Sequence, residues 1–166
     1  VTNVGKEPLK HFDTKIGKIL TETAKKKTQE YPPYSSRTVS GKTLFNWARE
    51  GKIHEIDIPS RGIKIFNISH IHTRLLKQDA MLAEIEMKVA KVHGDFRQNE
   101  IVSKWRESVD GREQVLISLC ETTVSSGTYI RSLVHSMGEK MGSGATAYSI
   151  KRTRVGEWKI DEEKKI

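Results

Sequence analysis

The chain has 166 residues, enough for one domain with a proper core, and sets 29 Lys and Arg against 21 Asp and Glu, a net +8 at a pI near 9.6. That excess favours a polyanionic partner and is spread over Lys25-Lys26-Lys27, Lys151-Arg152 with Arg154, and Lys164-Lys165 instead of forming a tail. A single Cys120 excludes disulfide stapling, and with no signal-peptide pattern and no apolar run near the roughly eighteen residues of a membrane span, the expected setting is cytoplasmic with no membrane partner.

In chain order, the first dozen residues lack any period and are expected to form an extended lead-in. From Asp13 or Thr14, either suited to an N-cap, a short helix is predicted with Ile16, Ile19, Leu20 and Thr23 on one side. Pro32-Pro33 forces its neighbours into extended geometry, so residues 31–39 form a loop or edge strand before a turn at Ser40-Gly41. Leu44, Phe45, Trp47 and Ala48 suit a second short helix closing at Gly51. The β-branched Ile63, Ile65, Ile68 and Ile71 then predict a strand that bends near Asn67. His70 and His72, two apart on it, would share a face and supply half a metal site. A third ligand at a convincing spacing is missing, so neither metal nor cofactor is expected.

The middle of the chain has a helical period. Met81, Leu82, Ile85 and Val89, then Ile101, Val102, Trp105 and Val109, mark two helices over 78–92 and 98–109, separated at Gly94. A helical hairpin covering one face of a sheet is preferred to a helix-turn-helix, with Trp105 as a packing residue. Asp110-Gly111 turns the chain into an apolar strand over 115–124, which holds Cys120 as a buried structural thiol. Ser125-Ser126-Gly127-Thr128-Tyr129-Ile130-Arg131-Ser132 follows, with Gly127 at a strand-to-helix turn. Ile130, Leu133, Val134 and Met137 give the next helix its buried face, and Gly142 gives it a stop. Arg131 thus falls in a helix's first turn, where the partial positive charge disfavours a cation by roughly 0.3–1 kcal/mol. It asks for a carboxylate or a phosphate. No Walker loop and no nucleophile elbow occur, so nucleotide hydrolysis and acyl transfer have no support.

Three segments, taken in order, resemble the bacterial tRNA pseudouridine synthase B family, which isomerises the T-loop uridine of tRNA. They are Tyr31-Pro32-Pro33-Tyr34-Ser35-Ser36-Arg37 leading to Gly41-Lys42 and Trp47-Ala48-Arg49-Glu50-Gly51; residues 125–133; and Gly138-Glu139-Lys140-Met141-Gly142-Ser143-Gly144-Ala145 running into Lys151-Arg152-Thr153. The resemblance covers roughly residues 13–71 and 115–158, with 78–110 as a helical-hairpin insertion in one domain, 1–166. It implies an α+β fold, a mostly antiparallel sheet flanked by helices, as part of a pseudouridine synthase fold.

By the same resemblance, Arg131 pairs with the catalytic aspartate, which agrees with the anion its position calls for. Tyr129 walls the uracil pocket and Ile150 packs in it, consistent with recognition of an extruded base by stacking. Lys42, Arg49, Lys151, Arg152 and Arg154 are the candidate RNA contacts. Arg37 stands for a usual lysine, Ser126 and Ser143 for a lysine and a cysteine, and Lys151 for an arginine. The larger departure is the Gly-x-Leu-Asp-Pro segment that carries the nucleophile: none of the six aspartates, Asp13, Asp57, Asp79, Asp95, Asp110 and Asp161, lies in that context. The chain is therefore expected to be the C-terminal part of such an enzyme, inactive alone, with the T-arm of tRNA and the enzyme's N-terminal part as partners. The alternative is a noncatalytic tRNA-binding module, and a blander one is a basic α+β fold with no RNA role.

Overall fold

The computed structural model describes residues 8–94 and 96–160, residues 8–11 by their backbone alone. Helix α1 spans Pro8–Ala24, six or seven residues longer at its start than an N-cap at Asp13 or Thr14 suggested. Proline is tolerated at a first helical position because its missing N–H would have had no partner there. Asp13 and Thr14 consequently lie inside the helix and not at its N-cap, and the expected extended lead-in gives way to helix from Pro8; residues 1–7 lie outside the described residues. Ile16, Ile19, Leu20 and Thr23 are all buried, so the period set the helix's inner face correctly.

Strand β1 (Thr28–Glu30) pairs antiparallel with β4 (Ser60–Gly62). Between them, β2 (Thr38–Val39) and β3 (Lys42–Thr43) form a hairpin whose turn residues, Ser40 and Gly41, both have positive φ, as a two-residue turn of this hand requires. Helix α2 (Leu44–Arg49) follows, its Asn46 N–H donating to the Thr43 hydroxyl, and a single 3₁₀ turn covers Ile53–Glu55.

The longest pairing joins β5 (Ile65–Lys77) to β6 (Gln114–Val124). Two bulges interrupt β5. The first, between Ile65 and Asn67, is the expected bend; the second lies between His70 and His72. His70 pairs with Cys120 and His72 with Leu119, and adjacent residues of β6 point to opposite faces. The two histidines therefore face opposite ways, because the bulge resets the two-residue period on which the shared-face expectation rested.

One face of this ribbon packs Ile68 and Cys120 against α1 and against Met137 of α5 (Ile130–Met141). Burial there pushes the Cys120 thiol above its ordinary value. The other face packs Leu76, Val115 and Ile117 against α3 (Gln78–Ala90) and α4 (Gln98–Val109), with Trp105 at the edge of that cluster. A small exposed hairpin, β7 (Arg154–Val155) with β8 (Trp158–Lys159), ends the described chain. The architecture is α+β. Every described pairing is antiparallel, as expected, in four two-stranded pairs. No described helix is long and apolar enough to cross a membrane.

Candidate functional site

The site grows from the turn between β6 and α5. Ser125 donates its N–H to the Lys64 carbonyl at 2.8 Å and accepts the Lys64 N–H on its hydroxyl at 2.9 Å, so the end of β6 is tied to the start of β5. Gly127 follows at φ +77°, and the Arg61 side chain lies against it, donating to the Ser126 carbonyl at 3.2 Å. A Cβ at residue 127 would run into that guanidinium. The turn thus needs glycine for its left-handed backbone, and a side chain there would also displace the flexible end of Arg61.

Tyr129, the residue before α5, is fixed by Gln29 of β1. The buried Gln29 side-chain amide accepts the Tyr129 N–H at 2.8 Å and donates to the Tyr129 carbonyl at 3.0 Å, much as a neighbouring strand would. Removing one partner of such a pair leaves buried polar groups unsatisfied. Gln29→Leu is expected to destabilise the chain by about 2 kcal/mol, read as a lower urea midpoint at unchanged m. An unchanged midpoint would mean that Tyr129 is held by something else.

The Tyr129 ring meets Tyr31 edge-on at 5.9 Å, and the guanidinium groups of Arg37 and Arg61 stand 5.3 and 5.9 Å from the Tyr31 ring centre. Beside this aromatic and cationic group opens a cavity of about 530 Å³, within the usual size of small-ligand pockets. Its walls are β1 with the proline-rich loop, Tyr31 to Tyr34, on one side, and Arg131, Ser132, His135, Ser136 and Glu139 of α5 on the other. Lys26 and Ser60 complete it.

Arg131 lines this cavity, is exposed, and has no acidic residue beside it in the first turn of α5. Among the described residues it forms no ion pair, and no aspartate lines the cavity. Tyr129 touches the lining through Tyr31 and Gln29 without forming part of it. The other sequence-predicted residues stand apart. Ile150 is 52% exposed and outside the cavity wall. Lys42 is engaged, 2.6 Å from Glu50 and 4.5 Å over the Trp47 ring, and its hydrogen bond holds the Glu50 carboxyl below the usual carboxylate range. Arg49, Lys151, Arg152 and Arg154 are exposed on the surface.

Gln29, Tyr31 and Arg61 had no role assigned from sequence. Tyr31 belongs to a recognised segment, so its signal was present. Gln29 and Arg61 act across 100 and 65 positions, a relation that no local spacing encodes. Among the described residues no three His, Cys, Asp or Glu side chains gather as a metal site.

Fold and site together define an α+β chain with an aromatic-walled cavity, lined by Arg131, at a strand-to-helix turn. No protein-family model matches it. Individual relatives do. It is 33% identical to the tRNA pseudouridine synthase B of Thermotoga petrophila over 131 residues, 79% of this chain and 29% of that protein. Against proteins of the same name it is 30% identical in Bacillus velezensis, over 95% of this chain and 38% of the relative, and 30% identical in Bacillus subtilis, over 94% and 39%. The chain spans about a third of the length of the curated relatives it matches. These matches relate the chain to the tRNA pseudouridine synthase B family.

Proposed function

We propose that this chain supplies one wall of a tRNA pseudouridine synthase active site and part of its tRNA-binding surface. The reaction is isomerisation of a T-loop uridine, and the nucleophilic aspartate comes from a segment outside these 166 residues, the N-terminal part of the same enzyme. The observation that carries this reading is Arg131, exposed at a helix mouth beside a cavity in which no described aspartate meets it. Arg131 would pair with the incoming carboxylate and hold it ionised for attack. Tyr31 would stack against the extruded base, with Tyr129 packed edge-on behind it. Ile150 would close the pocket only once the segment that bears it folds over the cavity.

Besides Lys42, which Glu50 holds, the candidate phosphate contacts are Arg49, Lys151, Arg152 and Arg154. Four contacts at a slope of roughly −0.7 to −0.9 each lower affinity for a T-arm stem-loop about a hundredfold between 50 and 200 mM salt. Fluorescence anisotropy with a labelled stem-loop measures this directly. A flat salt response would remove the RNA surface from the proposal. A noncatalytic tRNA-binding module would give the same salt response, and only the isomerisation assay separates the two.

A further inference from the structure

The hairpin of α3 and α4 lies outside the segments that carry the family resemblance, yet it touches two of them. At its tip Arg97 adopts a left-handed backbone, φ 59°, which a non-glycine residue keeps only when its surroundings hold it. The Arg97 guanidinium stands 5.1 Å from the ring centre of Tyr34, a cavity-lining residue of the proline-rich loop, and 3.5 Å from Glu100. Hydrogen bonding to Tyr34, then the charge of Glu100, raises the Arg97 pKa above its ordinary value. Tyr34 in turn meets Phe45 edge-on at 5.9 Å, and Phe45 N–H donates to Ser35.

Along its helices the hairpin also holds Tyr148. Glu84 accepts the Tyr148 hydroxyl, Lys88 lies 2.6 Å from Glu84 and 4.8 Å over the Tyr148 ring, and Trp105 meets that ring edge-on at 6.5 Å. Burial, then the Glu84 carboxylate, pushes the Tyr148 phenol up to about 12. Tyr148 precedes Ile150 and the Lys151-Arg152 pair by two and three residues.

We propose that the α3–α4 hairpin is a brace for the cavity, and that Arg97 is its positioning residue, holding the Tyr31–Tyr34 wall in place through Tyr34 so that an unstacked base can be received. The recognition half of this rests on the function proposed above. The brace itself does not.

Amide hydrogen exchange and stem-loop binding by the full chain test the two halves separately. Arg97→Ala is expected to speed exchange at Phe45, and at Tyr31, whose N–H donates to Pro59, by about five- to tenfold, with β5 and β6 unchanged. Arg97→Lys, which keeps the cation but not the planar fork, should restore part of the protection. Binding of an unmodified T-arm stem-loop should weaken about fivefold in Arg97→Ala at an unchanged salt slope, with no further loss in a Tyr34→Ala background. Unchanged exchange at both amides would overturn the brace. A shallower salt slope, or losses that add to those of Tyr34→Ala, would make Arg97 a direct RNA contact and overturn its positioning role. Exchange that responds while no form binds the stem-loop would overturn the base-site reading and leave the brace standing.

Discussion

Arg131→Ala, made in an enzyme that joins this chain to its aspartate-bearing segment, is expected to lower uridine isomerisation by about a hundred- to a thousandfold, the usual loss when a preorganised charge at a reacting group is removed. In the 166-residue chain the same substitution should leave stability unchanged or raise it by up to about 1 kcal/mol, because a cation in the first turn of α5 opposes the helix dipole. The reason for the contrast is geometric. Arg131 lines the cavity and forms no ion pair among the described residues, so folding draws nothing from its charge, whereas the proposed chemistry would need it. Arg131→Lys should recover only part of the rate, since a lysine cannot grip a carboxylate with two parallel N–H groups. Loss of stability in step with loss of activity would assign Arg131 to the fold.

Gly138→Ala is the substitution expected to harm the fold most for its size. Gly138 is a buried residue on the inner face of α5, where a Cβ would collide with the backbone nitrogen of Ala145 and the carbonyl carbon of Gly144. The Gly144 N–H donates to the Gly138 carbonyl at 3.1 Å, so the returning chain cannot swing away without breaking that bond. Alanine gains about 1 kcal/mol of helix propensity over glycine, but overpacking against backbone costs about 1–3 kcal/mol and sacrifices the bond as well. A net loss of about 2 kcal/mol is expected, a fall of roughly 4–8 °C in Tm for a chain of this length. Gly17, on the exposed side of α1 with nothing within 4 Å, is the control: its replacement by alanine should raise stability by about 1 kcal/mol. If both glycines respond alike, the close approach at Gly138 is wrong.

The inner face of α1, the two-residue turn at Ser40-Gly41, the stop at Gly142 and the placement of Arg131 in a first turn are local properties, encoded in spacing and turn chemistry, and each appears in the structure. The start of α1 was missed because the first dozen residues show no apolar period, whereas Pro8 serves as the first helical residue. The histidine pair was misplaced because nothing local marks the bulge at Ile71. The parts of the site beyond local reach, Gln29 on Tyr129 and Arg61 on Gly127, depend on strands β1 and β4 meeting the β6–α5 turn. The roles proposed for Tyr129 and Arg131 come from family likeness, and geometry adds Tyr31 to the cavity that Arg131 lines.

The central claim is that catalysis needs this chain's arginine and an aspartate from outside it. Tritium release from tRNA labelled at uridine C5 measures it most directly, with the 166-residue chain alone and with the same chain joined to a Gly-x-Leu-Asp-Pro segment. The account predicts no release from the first and turnover from the second. Release by the 166-residue chain alone, or none from a folded joined enzyme that binds tRNA, would contradict it.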